Sequence, residues 1–231
     1  MKRGLVISID GPAGAGKSTV GKVLADRLSY VYLDTGALYR AMAYKILQAG
    51  VTSNDNDQLD EIIENTTISL RNIHGNMRVF VDEVDVTDKI RTEHIGLLAS
   101  KISAIPLVRK RLLCVQREAG KDGRIIAEGR DMGTVVFPGA DVKFFLEATL
   151  EERAKRRYRE LTIGSDTVNY KEVERDLSQR DRQDRERQIA PLVPADDAVV
   201  IDSTNITVSG VVEEMLSVIN SRAITPNSLK I

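Results

Sequence analysis

A nine-residue segment early in the chain fits the pattern G-x-x-x-x-G-K-[ST] at every fixed position. It reads Gly11-Pro12-Ala13-Gly14-Ala15-Gly16-Lys17-Ser18-Thr19. Loops of this pattern turn backbone N–H groups around phosphate oxygens, while the lysine charges the β/γ-phosphate site and the serine hydroxyl reaches Mg²⁺. An apolar strand-like run, Leu5–Ile9, leads into the segment, and helical periodicity over Thr19–Leu28 leads out. This context favours a nucleotide polyphosphate site at a helix N-terminus over a glycine-rich turn that binds nothing.

Composition narrows the class of protein further. The 231 residues suffice for one α/β domain or for a core domain with insertions, and the net charge of −1 argues against a general nucleic-acid binder. The single Cys114 forms no internal disulfide, and no apolar run is long enough for a membrane span or a signal segment. We therefore expect a monomer of the reducing cytoplasm that needs neither nucleic acid nor a membrane.

Short apolar runs alternate with longer helical stretches along the chain. This alternation is typical of a parallel sheet with helices on both faces, so the predicted fold class is α/β with a five-stranded parallel sheet flanked by helices. The five predicted strands are Leu5–Ile9, Tyr30–Leu33, Arg124–Ala127, Val142–Leu146 and Ala198–Ile201.

About ninety residues separate the second and third of these strands, far more than one crossover helix requires. Within them, Thr66–Leu70 and Met77–Val86 alternate apolar and polar residues between turn signals and predict a small antiparallel sheet. Two helical stretches, Lys89–Ser103 and Pro106–Glu118, follow. An insert with its own sheet therefore interrupts the core, and a polar tail from Thr225 onward is expected to fray.

Arginines and carboxylates follow two of the predicted strands. Arg40 stands six residues after Asp34, and Arg130-Asp131 belongs to the segment Glu128–Thr134 that directly follows the strand Arg124–Ala127. Loops at the carboxyl ends of parallel strands line the ligand crevice of such sheets, which places these side chains near Lys17. Two structural alternatives stay open: a helix N-cap at Asp34 or Thr35 with a solvated Arg40, and a buried Arg130–Asp131 pair.

A highly charged helical stretch, residues 174–187, places Arg180, Asp184 and Arg187 at i, i+4 and i+7. Two guanidiniums and a carboxylate on one face suit a phosphate and a sugar hydroxyl, although opposite charges could equally lace a solvated helix. A second basic helix, residues 151–159, precedes this stretch. With little apolar surface to fix them down, the two helices predict a mobile lid.

Taken together, these motifs resemble those of bacterial-type cytidylate kinases, members of the nucleoside monophosphate kinase group, from one end of the chain to the other. The motifs that carry the resemblance are Gly11–Thr19, Asp34–Arg40, Ser100 with Arg109, Gly129–Thr134, Arg180–Arg187 and Ala190–Ala195. The resemblance implies a P-loop kinase core formed by residues 1–33 and 119–231, with a helical lid at about 151–188. Residues 34–118 would supply a helix and the insert that binds the nucleoside monophosphate.

The resemblance also implies roles for individual residues. ATP would contact Gly11, Pro12, Ala13, Gly14, Ala15, Gly16, Lys17, Ser18, Thr19, Arg156 and Arg157. CMP would contact Thr35, Arg40, Ser100, Arg109, Arg130, Asp131, Arg180, Asp184 and Arg187. Among these, Lys17, Arg130 and Arg180 would be catalytic, and Ser18 would bind Mg²⁺. The implied reaction is ATP-dependent phosphorylation of CMP and dCMP to CDP and dCDP in pyrimidine nucleotide metabolism.

The same resemblance divides the CMP contacts by chemical group. Ser100, Arg109 and Asp131 would read the cytosine edge, and Arg180 with Asp184 would hold the ribose. Arg40, Arg130 and Arg187 would take the acceptor phosphate. Thr35 stands where many relatives carry serine, so the hydroxyl is kept.

The expected chemistry needs charge and position rather than a general base. A phosphate acceptor is already an oxyanion near neutral pH, so catalysis depends on overcoming repulsion between two polyanions. The residues identify no carboxylate partner for Mg²⁺, although Asp10 and Asp131 are candidates for contact through water, and Lys17 is expected on an exposed loop. Two other functions stay open: a kinase of another acceptor, such as UMP or a small metabolite, and a nucleotide-binding regulatory switch.

Overall fold

The computed structural model describes residues 4–51, 56–73, 76–163 and 168–224. The helices are α1 Lys17–Leu28, α2 Thr35–Gln48, α3 Asn56–Asn65, α4 Glu93–Ile102, α5 Pro106–Ala119, α6 Leu150–Thr162, α7 Tyr170–Glu186 and α8 Val208–Ile224. The strands are β1 Val6–Asp10, β2 Val31–Asp34, β3 Ile68–Ile73, β4 Asn76–Val81, β5 Val84–Asp85, β6 Ile125–Gly129, β7 Val142–Glu147 and β8 Val199–Asp202. Within the described ranges, no helix is both long and apolar enough to cross a membrane. The tail predicted to fray from Thr225 lies outside them.

Five parallel strands form the central sheet in the order β2-β6-β1-β7-β8. All five predicted strands are present, with ends shifted by one or two residues, so the α/β fold class is confirmed. The strands read as apolar runs because β1, β6 and most of β7 are buried on both faces, under α1 and α8 on one side. Their carboxyl ends share one edge of the sheet.

The insert forms a separate antiparallel sheet, β3-β4-β5, as its alternating sequence predicts. Within the predicted run Met77–Val86, the turn signal Asp82-Glu83 separates β4 from β5, and these two residues take positive φ angles of 47° and 68° in a tight hairpin. The sequence analysis did not predict α3. One apolar cluster joins α2 to this insert, with Leu38 and Met42 packed among residues of α3, α4 and α5.

The two lid helices have a core of their own, contrary to the expectation of little apolar surface. Ala154, Val173 and Leu177 are buried between α6 and α7. Beside this cluster, Arg153 forms a buried ion pair with Asp181 at 2.6 Å and donates to the carbonyl of Ala13 in the phosphate loop at 3.0 Å. The lid is therefore tied to the loop beneath it. The sequence also predicts a glycine-containing turn between the two helices at residues 162–166, of which 164–166 lie outside the described residues.

Candidate active site

The phosphate loop joins β1 to α1 in a conformation that requires glycine. Gly11, Gly14 and Gly16 have φ angles of 146°, 77° and 92°, which L side chains rarely adopt. A Cβ at Gly11 would lie 1.9 Å from the carbonyl oxygen of Leu146, inside the adjacent strand β7. Gly16 is the N-cap of α1, so the unpaired N–H groups of the first helical turn face the cleft.

Lys17 is buried, and the expectation that it lies on an exposed loop is wrong. It is the first residue of α1, its side chain is 6% exposed, and its Nζ donates to the carbonyl of Pro12 at 2.6 Å. Burial, reinforced by the nearby Arg130 charge, lowers the pKa of Lys17 from 10.5 to about 7. The positive charge of Lys17 is therefore costly in this enclosed position.

Glu128 supplies a carboxylate beside the serine of the loop. Ser18 Oγ donates to Glu128 Oε1 at 2.7 Å, and Glu128 Oε2 is buried without a hydrogen-bond partner among the described residues. Burial and the neighbouring Asp34 charge raise the pKa of Glu128. No role is assigned to Glu128 from the sequence. The sequence signal that could have identified it is an acidic residue directly after the predicted strand Arg124–Ala127.

A hydroxyl and a carboxylate are the hard oxygen donors that suit Mg²⁺. The described residues contain no cluster of three or more His, Cys, Asp or Glu side chains for a metal. Mg²⁺ at nucleotide sites is generally held by one or two protein ligands and completed by phosphates and water. The two carboxylates considered from the sequence are engaged elsewhere. Asp10 accepts from Met132 N and Gly133 N at 2.8 and 2.7 Å, and Asp131 accepts from Arg109.

Asp131 and Arg109 form a buried ion pair at the base of α5. Arg109 also donates to the carbonyl of Ser103 at 3.2 Å, so its guanidinium plane is held by two partners. Burial raises the pKa of Asp131 above its usual value, and the Arg109 charge opposes that rise. Ser100 lies one helical turn before Ser103, and its hydroxyl donates a hydrogen bond to Gln183 Oε1 at 3.3 Å.

Arg130 and its neighbour Asp131 form ion pairs with different residues, so the alternative of a pair between them is wrong. Arg130 Nε donates instead to Asp184 Oδ2 at 2.7 Å. Arg187 also lies near these carboxylates, 3.6 Å from Asp184 and 3.9 Å from Asp131. The helical face predicted for Arg180, Asp184 and Arg187 needs one correction. Because α7 ends at Glu186, Arg187 reaches the cluster from an extended residue beyond the helix.

Glu93, to which the sequence analysis assigned no role, holds two lid arginines. Its carboxylate accepts from Arg157 of α6 at 2.5 Å and from Arg180 of α7. Arg156, the other arginine predicted to contact ATP, turns the opposite way. It donates to Ser203 Oγ and to the Ser203 carbonyl, at 3.0 and 2.6 Å, on the rim of the phosphate loop.

Residues at the start of α2 complete the cleft. Asp34 is the N-cap of the helix, as one alternative held, yet its carboxylate also binds Arg40 at 2.6 Å. Arg40 is thus paired rather than solvated. The Thr35 hydroxyl donates to the Glu128 carbonyl at 2.6 Å, so it retains its acceptor lone pairs for a ligand.

One cleft of about 1390 Å³ brings these side chains together. All nine residues predicted to contact CMP line it, and so do Arg156, Arg157 and the loop from Ala13 to Thr19. Gly11 and Pro12 do not line it. A phosphate loop facing a cluster of arginines at the carboxyl edge of a parallel sheet defines a phosphotransferase of the P-loop kinase class.

Comparison with known proteins identifies the family within that class. The cytidylate kinase family model matches residues 7–221, and the chain belongs to this family. It is 48% identical over 221 residues to a cytidylate kinase of Citrifermentans bemidjiense, covering 96% of this chain and 95% of that protein. It is 45% identical over 210 residues to a cytidylate kinase of Caldicellulosiruptor saccharolyticus, covering 91% and 93%.

A solved structure supports the fold. A gluconokinase from Sinorhizobium meliloti aligns over 97% of this chain and 96% of its own with a TM-score of 0.51. At 13% sequence identity, this likeness shows the shared architecture alone.

Proposed function

We propose that this protein transfers the γ-phosphoryl group of ATP to CMP and dCMP. The observation that carries the choice of acceptor is the buried Asp131–Arg109 pair in the same cleft as the phosphate loop. Cytosine presents an exocyclic amine where uracil presents a carbonyl, so a fixed carboxylate acceptor favours cytosine. Arg109 orients Asp131 and offsets part of the cost of burying its charge.

The neighbouring groups suit the remainder of a nucleoside monophosphate. Asp184 is buried and held by Arg130, which leaves its other oxygen able to accept from a ribose hydroxyl. Arg40, Arg130 and Arg187 line the same cleft and suit the acceptor phosphate. Arg187 NH2 is buried without a hydrogen-bond partner in the described part of the chain, as a donor awaiting an anion would be.

At the donor end, the phosphate loop would hold the ATP phosphates and Lys17 would neutralise them. Ser18 and Glu128 would hold Mg²⁺, which offsets charge on the β- and γ-phosphate oxygens when bound. The acceptor phosphate is already ionised, so the residues need only align it and shield its charge. Arg130 and Arg180 would supply that positive charge, and the lid would exclude water from the transfer.

The proposal extends to the organisation of the chain. Residues 1–33 and 119–231 would act as the catalytic core with its lid, and residues 34–118 would bind the acceptor. The enzyme would work as a monomer in the cytoplasm.

An acceptor panel with Mg-ATP tests the function. Purified protein is given CMP, dCMP, UMP, AMP, GMP and shikimate in turn, and ADP formation is followed by a coupled assay. We expect turnover with CMP and dCMP and much slower turnover with the others. Faster turnover with another acceptor would replace CMP, and nucleotide binding without turnover would favour a regulatory switch.

A further inference from the structure

Glu93 joins the insert to both lid helices through one carboxylate. It is the first residue of α4, capped by Thr92, whose Oγ1 accepts from Ile95 N at 3.3 Å. Arg157 and Arg180 reach it from α6 and α7. Burial opposes ionisation, yet the two guanidiniums together lower the pKa of Glu93 below its usual value, so it is charged at neutral pH.

A negative charge at Glu93 would by itself repel the two polyanionic nucleotides. Its contact with the guanidinium of Arg180 indicates that the carboxylate has a positioning role. An arginine has five N–H donors in a rigid plane, so a carboxylate on one edge fixes the plane and leaves other donors available. Arg180 binds Glu93 through NH2, whereas its Nε is buried with no hydrogen-bond partner within the described ranges.

The Arg180 guanidinium also packs against α4 one helical turn after Glu93. A Cβ at Gly96 would lie 3.5 Å from Arg180 NH2, so the guanidinium rests directly against the helix. Arg182 and Arg185, on the other faces of α7, are exposed instead. Arg180 is therefore the α7 arginine whose direction is set by the insert.

We propose that Glu93 is a positioning residue for phosphoryl transfer: it orients Arg180 toward the transferring group while Arg157 clamps the carboxylate from the other lid helix. This inference rests on the proposed function, because the reaction is what Arg180 would serve. Orientation matters most in the transition state, where charge develops between the two nucleotides. The carboxylate should therefore affect kcat rather than the binding of CMP.

Glu93→Gln tests this with little change in shape. The amide oxygen of the introduced glutamine can accept from the two arginines, but it lacks the negative charge that aligned them. We expect kcat with saturating CMP and Mg-ATP to fall about tenfold or more, with KM for CMP changed by less than about threefold. Glu160→Gln is the matched control: Glu160 pairs with Arg157 at 3.0 Å within α6 and does not reach the insert. It should stay within about threefold of the parent in both constants.

A double-mutant cycle shows whether Glu93 acts through Arg180. In an Arg180→Ala background, Glu93→Gln should change kcat by less than about twofold. Parental kcat in Glu93→Gln, a raised KM with unchanged kcat, or an equal loss in both backgrounds would each overturn the inference. A parent enzyme inactive on CMP would instead overturn the proposed function, which keeps the two failures distinct.

Discussion

Replacing Lys17 by methionine should remove most of the turnover without lowering the stability of the ligand-free protein. The side chain is almost fully buried, and its charge is compensated by the carbonyl of Pro12 and by carboxylates held at some distance. Methionine fills a similar volume and requires no charge in the site. We expect kcat to fall by at least ~100-fold, because a cation at the transferring phosphates is lost. The unfolding free energy of the ligand-free variant should equal or exceed that of the parent at pH 7.

The size of this stability difference depends on pH. The pKa of Lys17 is about 7 in the folded protein and 10.5 for an ordinary lysine, so the unfolded chain binds more protons between these limits. Parental stability should consequently rise with pH across this window, by at most about 1.4 kcal/mol per pH unit from this group. The cost of the buried charge is complete below pH 7. The advantage of the Lys17→Met variant should therefore be largest there and shrink as the pH rises.

Urea unfolding of ligand-free protein at half-unit steps from pH 6.5 to 9.5 measures this difference. Lys22→Met, on the exposed face of the same helix, makes the same chemical change and should show a difference independent of pH. A constant gap between parent and Lys17→Met would refute the desolvation argument. An active Lys17→Met enzyme would refute the assignment of the phosphate loop.

Three further predictions concern the acceptor and the metal. Asp131→Asn should reduce the preference for CMP over UMP, measured as the ratio of their kcat/KM values, by the equivalent of ~1–3 kcal/mol, and Mg-ATP binding should be unchanged. Equal losses on both acceptors would mean that Asp131 does not read the base. Asp184→Ala should lower kcat/KM for CMP by at least ~100-fold and affect CMP and dCMP unequally, whereas the exposed Arg185→Ala should stay within a few-fold; two similar mild effects would leave α7 an ordinary charged surface. Glu128→Gln should raise the Mg²⁺ concentration for half-maximal activity, and the Kd for Mn²⁺ in the presence of ATP, by about tenfold or more; unchanged values would exclude the carboxylate from the metal site.

Local sequence patterns predicted much of the fold because burial of apolar strands and tight turns leave their signal in neighbouring residues of the chain. Strands buried on both faces must be apolar runs, so the five strands of the central sheet could be found without knowing their order. Alternating residues and the Asp82-Glu83 turn likewise identified the sheet of the insert. Helix α3, Asn56–Asn65, was not predicted because its apolar residues are few among polar ones. Leu59 and Ile63 are buried in the cluster that it shares with α2 and α5.

The phosphate loop is the part of the site that the sequence by itself determined. Its glycines, lysine and serine act through one continuous stretch of backbone, so their spacing is enough to define their geometry. The groups around it are different. Ser18 meets Glu128 across 110 residues, and Glu93 meets Arg180 across 87.

Only the tertiary structure decided those pairings, because they depend on strand order and helix packing. Glu128 faces Ser18 because β6 lies beside β1 in parallel register, with Ile9 opposite Glu128. Arg130 and Asp131 are adjacent in sequence, yet each pairs with a different helix. The burial of Lys17, and with it the lowered pKa, comes from the same enclosure. Chain-local patterns specify which side chains are available, whereas desolvation and charge pairing depend on what the fold places around each of them.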